Sequence, residues 1–234
     1  MYAYLVVPET DSDELRPAVI WIHGGFGNGI GSTVWEEQDP KNDQSGSAFW
    51  KRGFITMYPA LRGGSGNPGV QEQFLGEVDD VIAAGKYLAE RPDVDPARIY
   101  LGGHSTGGTL VLLVAASTKM FRAVVAFGPV ADIRSYGSYG LNFSLKDKAE
   151  WQYRSPIFWL RDIQCPTWVY EGEREPSNFD VLQEFKKVKT NQRILFFSEK
   201  GYDHFSILAP GTKKMADRIF MDSEWDPTFD THPY

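Results

Sequence analysis

Three observations predict a three-layer α/β fold with a mostly parallel sheet and helices on both faces. Short apolar runs rich in β-branched and aromatic residues recur at 3–7, 18–22, 54–58, 99–101, 123–127, 167–170 and 194–197, with the length and composition of strands. Several are apolar on both faces, as expected of parallel strands covered on each side. Stretches with helical spacing separate them, and strand alternating with helix builds this layered architecture.

The elements follow in order. The strand at 18–22 runs into a turn holding Gly24, Gly25, Gly27 and Gly29. The strand at 54–58 ends at Met57-Tyr58-Pro59. With no acid closing it, a dinucleotide-binding reading of those glycines is weak. The clearest helix follows, where Phe74, Val78, Val81, Ile82 and Leu88 form an apolar face and Glu77, Asp80 and Glu90 are expected to point outward. Further helices fit 107–117, 179–188 and 210–220.

Residues 134–161 break the rhythm and read as an irregular excursion over one end of the sheet. Its aromatic residues Tyr136, Tyr139, Phe143, Trp151 and Trp159 suit either an apolar wall or lid for a substrate, or simple core packing. Residues 222–234, with several acids and two prolines, read as a surface tail.

At 234 residues and 42% hydrophobic, the chain can bury one sizeable core and is read as one domain. Its net charge of −7 opposes binding to phosphate backbones and anionic membrane surfaces, so neither nucleic acid nor a membrane is an expected partner. Cys165 is the single cysteine and cannot form an internal disulfide; it reads as a small core residue. No run is long and apolar enough for a membrane-spanning helix, and the first residues lack the basic start of a signal peptide, so a cytoplasmic location is the expectation.

The chemistry centres on Gly103-His104-Ser105-Thr106-Gly107. Chance alone can supply a Gly-x-Ser-x-Gly match in a chain of this length, but here the motif lies between a strand and a helix. That setting exposes a serine hydroxyl on a strained turn above the sheet. The plainer alternative is a glycine-rich turn whose serine caps the helix.

A serine needs a base to take its proton. Of four histidines, His104 is inside the motif, His23 lies in the other glycine turn and His232 in the tail. His204, between the last strand and the last helix, is therefore the candidate base. The acid that orients it is expected in the loop 171–180. Glu175 is the choice, three residues past Gly172, because Glu171 and Glu173 lie close to the strand. Asp180 is the main rival and Asp132 a distant third. Donors for an oxyanion are expected from the backbone of Thr106 and of the turn His23-Gly24-Gly25-Phe26.

With these blocks in place the chain resembles an α/β-hydrolase, and more narrowly the catalytic domain of the prolyl oligopeptidase group of serine hydrolases. The resemblance rests on Val19-Ile20-Trp21-Ile22-His23-Gly24-Gly25, then Tyr58-Pro59-Ala60-Leu61-Arg62-Gly63-Gly64-Ser65-Gly66, then Val94-Asp95-Pro96-Ala97-Arg98-Ile99-Tyr100. The Ser105 motif, Gly172-Glu173-Arg174-Glu175 and the His204 loop complete it. It implies a triad of Ser105, His204 and an acid at Glu175, with oxyanion donors near Gly25 or Phe26 and at Thr106. The family usually has Asp where this chain has Glu175, and its peptidases carry a propeller that nothing here can form. Esterases of the wider superfamily are resembled equally well.

The expected function is hydrolysis of a small-molecule ester or a short peptide through an acyl-enzyme. No metal or organic cofactor is implied, and the oligomeric state is open. An acyltransferase on the same triad, or a non-catalytic binding protein with the hydrolase fold, are the alternatives.

Overall fold

The computed structural model describes residues 2–10, 12–137, 141–188 and 191–222. Seven strands form one sheet in the order β1-β3-β2-β4-β5-β6-β7. They are β1 (Ala3–Val6), β2 (Arg16–Ile22), β3 (Ile55–Pro59), β4 (Val94–His104), β5 (Ala123–Phe127), β6 (Thr167–Gly172) and β7 (Ile194–Glu199). Only β1, at one edge, runs antiparallel to its neighbour. Among the described residues six α-helices accompany them: α1 (Ser47–Lys51), α2 (Glu77–Ala89), α3 (Thr106–Ser117), α4 (Lys148–Tyr153), α5 (Phe179–Val188) and α6 (Leu208–Met221).

The period-two geometry of the strands sorts their side chains onto two faces. Ile20, Ile55, Leu101, Val124 and Val169 pack with Val81 and Leu88 of α2, Leu110–Ala115 of α3, and Leu182 and Phe185 of α5. On the other face Trp21, Tyr58, Phe127, Trp168 and Tyr170 pack with Phe49 of α1 and Leu208, Met215 and Ile219 of α6. Each such side chain taken from water contributes about 1.5–3 kcal/mol. The expected three layers are therefore present, and β5 and α5 span the expected residues.

Several expectations are corrected. Glu77 does not face solvent but is 2% exposed, and Asp80 turns onto Arg62. Phe74 lies ahead of α2, in a turn where Gln73 and Phe74 have φ of 56° and 67°. Asp222, read as the start of a surface tail, is buried, and its carboxylate holds Arg122 and the Tyr100 hydroxyl. Residues 223–234, with His232, and Tyr139 of the excursion lie outside the described residues. Cys165 is buried, which pushes its thiol up to about 11. No helix among the described residues is long and apolar enough to cross a membrane.

Candidate active site

Ser105 stands between the end of β4 and the start of α3, with φ 55° and ψ −114°. Glycines on both sides permit this turn. A β-carbon on Gly107 would lie 2.3 Å from the Ile22 carbonyl oxygen, and one on Gly103 would lie 2.6 Å from the Gly107 oxygen. Ser105 N–H donates to Phe127 O at 2.7 Å, and Thr109 N–H donates to Ser105 O at 2.9 Å. The backbone is thus pinned, and the serine lines an open cleft at the carboxyl end of the sheet.

His204 lies in a turn that Asp203 organises. One Asp203 oxygen accepts from Ser206 N–H at 2.8 Å and Phe205 N–H at 3.1 Å, and the other from Arg174 at 2.7 Å. The Ser206 amide, with Arg174 and the Ser206 hydroxyl, holds that carboxyl well below the usual range. His204 N–H donates to Pro176 O at 2.8 Å, and His204 O lies 3.0 Å from His104 Nε2. The loop is held from both sides.

The acid on His204 is Glu171. Its Oε2 lies 3.0 Å from His204 Nδ1 and also accepts from Asn178 N–H at 3.0 Å, while Oε1 accepts from Gly172 N–H at 2.8 Å. Glu171 is 1% exposed. A ring that donates from Nδ1 to a carboxylate presents Nε2 as its basic atom. Gly128, with φ 57°, makes this approach possible: a β-carbon there would sit 2.4 Å from His204 Cε1 and 2.9 Å from Glu171 Oε2. Because Ser105 N–H bonds Phe127 O, the serine and the Glu171–His204 pair meet over the Phe127–Gly128 turn. The serine hydroxyl and the His204 ring are not hydrogen-bonded to each other in this structure.

Glu175 is not that acid. It is exposed, and its carboxylate accepts from Ser177 N–H at 3.1 Å. The physical reason is that β6 continues past the apolar run. Glu171 pairs with Ser198 and Gly172 with Glu199 in β7, so Glu171 ends the strand beside Gly128. Residues 173–176 then turn outward. Asp180 is exposed on the first turn of α5, and Asp132 caps a short turn and pairs with Arg134. Two signs in the sequence point to Glu171: it directly follows the apolar run 167–170, and a glycine follows it.

His104, set aside on sequence grounds, belongs to the site. Its ring lies 4.6 Å from that of His204, and its Nδ1 is 2.8 Å from the Gln44 amide. Burial, then the nearby His204, push it down to about 3. It is a neutral strut beneath the candidate base.

The expected oxyanion elements come together. Thr106 is the first residue of α3, so its N–H has no partner within the helix, and its hydroxyl donates to Gly25 O at 2.6 Å. Gly25 has φ 95°. Phe26 O accepts from the Gln71 amide, and Asn28 Nδ2 donates to Glu77 Oε1 at 3.0 Å. Glu77 also accepts from the N–H groups of Glu72, Gln73 and Leu75, at 2.8, 3.0 and 3.3 Å. One buried carboxylate therefore ties the glycine turn to the 71–75 segment, a role the sequence concealed.

Of the excursion's aromatics, Tyr136 reaches the site. Its ring meets Phe26 edge-on at 5.1 Å and stacks on Phe74 at 6.0 Å, and its hydroxyl bonds Thr109 at 3.1 Å. Phe143 and Trp151 lie under the guanidinium groups of Arg154 and Arg134, and Trp159 stacks on Tyr153. Among the described residues no group of His, Cys, Asp or Glu is placed to hold a metal ion.

A model of the prolyl oligopeptidase family matches residues 42–177, over half of the chain. The uncharacterized peptidase YtmA of Bacillus subtilis is 30% identical over 142 residues, covering 55% of this chain and 55% of YtmA. The chain spans about half the length of the curated relatives it matches. A puromycin-hydrolyzing peptidase of Mycobacterium tuberculosis superposes with a TM-score of 0.72 at 20% identity, over 92% of this chain and 36% of that one. Est1E of Butyrivibrio proteoclasticus, with ferulic acid bound, superposes with a TM-score of 0.68 at 18% identity, over 94% of this chain and 96% of Est1E.

Proposed function

The chain belongs to the prolyl oligopeptidase family and has the α/β-hydrolase fold, and on that premise we propose that it is a serine hydrolase acting on ester or amide carbonyls through Ser105, His204 and Glu171. The observation that carries this reading is the 3.0 Å contact between His204 Nδ1 and the buried Glu171, set beside a serine on a strained strand-to-helix turn.

In the proposed mechanism Ser105 Oγ attacks the carbonyl carbon while His204 Nε2 takes its proton. Glu171 holds the ring by Nδ1 and stabilises the imidazolium that forms. The oxyanion is received by the N–H of Thr106 and by one from Gly25 or Phe26; a donor of this kind is typically worth about 10²–10³ in rate. His204 returns the proton to the leaving group, and water then releases the acyl group by the same steps in reverse. A small ester or a short peptide fits this chemistry.

Labelling with a fluorophosphonate probe tests the reading. Wild type is expected to label and Ser105→Ala to remain unlabelled while folded. An unlabelled, folded wild type, or a labelled Ser105→Ala, overturns it. Turnover of short acyl esters compared with aminoacyl and prolyl amides then identifies the bond.

A further inference from the structure

Two recesses lie beside the glycine turn, and they differ in size. On the far side of the glycine turn lies a small recess that Phe26, Phe74 and Leu110 line together with Gln71, Gln73 and Glu77. On the side of His104 and Phe205 lies an open cleft of about 450 Å³ lined by Thr33, Gln38, Asn42 and Gln44 together with His23 and Ser105.

Proton return decides which part of a substrate lies where. The leaving atom must receive its proton from His204, so the leaving group departs on the histidine side. His104 and Phe205 line the polar cleft, and their rings lie 4.6 and 5.0 Å from that of His204.

Among the described residues no Asp, Glu, Lys or Arg lines the cleft. Asp43, between Asn42 and Gln44 in the chain, is buried and accepts from Gln38 N–H, Ser45 N–H and Ser47 Oγ at 3.2, 3.0 and 3.2 Å, so it is turned away. The Gln44 amide is engaged by His104 at 2.8 Å and by Asn42 Oδ1 at 2.7 Å. The Gln38 NH₂ donates to the Glu36 and Glu37 carbonyls. Besides the Ser105 hydroxyl, three groups of the cleft among the described residues have no protein partner: Asn42 NH₂ as a donor, Gln38 Oε1 as an acceptor, and the Thr33 hydroxyl as either.

Resting on the reading of Ser105 as nucleophile, we propose that this cleft is the leaving-group subsite. It selects leaving groups that are uncharged and carry hydrogen-bonding groups of their own, such as an amine bearing a carboxamide or an alcohol bearing further hydroxyls. Asn42 is exposed and Gln38 half-buried, so an alkyl alcohol displaces water from them without replacing its hydrogen bonds, and a carboxylate finds no Lys or Arg there.

Microscopic reversibility supplies the test, because an added acceptor that attacks the acyl-enzyme enters through the same subsite. In that step the acceptor's oxygen or nitrogen bonds the acyl carbon, the Ser105 ester bond breaks, and the acceptor's proton passes by His204 to Ser105 Oγ. The butyryl-enzyme is formed from p-nitrophenyl butyrate and partitioned between water and an added acceptor. Glycerol is compared with 1-propanol, and glycinamide with glycine, each amine counted as its free base.

Glycerol or glycinamide is expected to capture the acyl group about tenfold better than its partner, and Gln38→Leu/Asn42→Leu to lose most of that preference. A preference for glycerol alone identifies a polyol leaving group, and one for glycinamide alone a peptide. If neither pair is discriminated by wild type, or the double variant keeps the preference, while fluorophosphonate still labels Ser105, the subsite is wrong and the serine hydrolase stands. If wild type neither labels nor forms a butyryl-enzyme, both fall.

Discussion

Glu171 reaches His204 through a space that exists because residue 128 has no side chain: the carboxylate lies 3.0 Å from Nδ1, where a β-carbon on Gly128 would sit 2.5 Å from that nitrogen. Removing the charge while keeping the shape isolates its contribution. Glu171→Gln is expected to lower kcat by about 10²–10⁴-fold, because an amide can stabilise the wrong ring tautomer and not the imidazolium. Glu175→Gln is expected to change kcat by less than about threefold. Steady-state kinetics on a p-nitrophenyl ester decide it, and equal losses in the two variants remove Glu171 from the triad.

Glu77 acts at a distance from the reacting atoms. Its carboxylate receives Asn28 and three backbone amides, and through them holds the turn that carries Gly25 and Phe26. Glu77→Gln replaces one acceptor oxygen with a donor, leaving at least one buried amide unpaired. Stability is expected to fall by about 1–3 kcal/mol, and kcat by about tenfold or more with KM changed little, as a displaced oxyanion donor requires. A KM effect without a kcat effect would show that the 71–75 segment binds substrate and does not position the turn.

Burial and the neighbouring His204 lower His104 from 6.5 to about 3 in the folded protein. Between those values the unfolded chain binds a proton at this position and the folded chain does not. Stability therefore rises with pH through that window, is fully present above 6.5 and is lost progressively as pH falls toward 3. His104→Gln, which cannot titrate, is expected to show a shallower loss of stability in urea unfolding below pH 6.5 than wild type. Parallel slopes would mean that His104 titrates normally in the native state.

Asp222 anchors the last turn of α6 to the sheet. Its side chain is fully buried and takes Arg122 in a two-pronged contact, both prongs at 3.0 Å, while accepting from the Tyr100 hydroxyl. Asp222→Ala is expected to cost about 3 kcal/mol. Thermal unfolding measures the loss. The kcat of molecules that remain folded is expected to be unchanged, because Tyr100 and Arg122 lie toward the ends of β4 and β5 opposite the cleft. An unchanged Tm would mean that solvent enters and replaces these contacts.

The architecture was legible because buried parallel strands leave continuous apolar runs, and Ser105 and His204 because a fixed motif and a short list of histidines single them out. The carboxylates that stayed hidden share one cause. Glu171 and Glu77 are carboxylates buried by hydrogen bonds, largely from backbone amides, and an apolar scan stops at Tyr170 because it has no means of scoring such partners. Asp222 was missed for the same reason, its burial depending on residues about a hundred positions away. His104 was set aside because it lies inside the serine motif, whereas its ring reaches the carbonyl of His204.

The backbone at Ser105, at φ 55° and ψ −114°, sits where a residue without a β-carbon rests most easily. Folding alone would favour glycine there, as at Gly103 and Gly107 on either side. The hydroxyl is kept at the one place in the motif where the chain would be better off without it. Local discomfort of this kind marks the reactive position independently of any sequence pattern, and Ser105→Gly should trade all acyl transfer for a sturdier molecule.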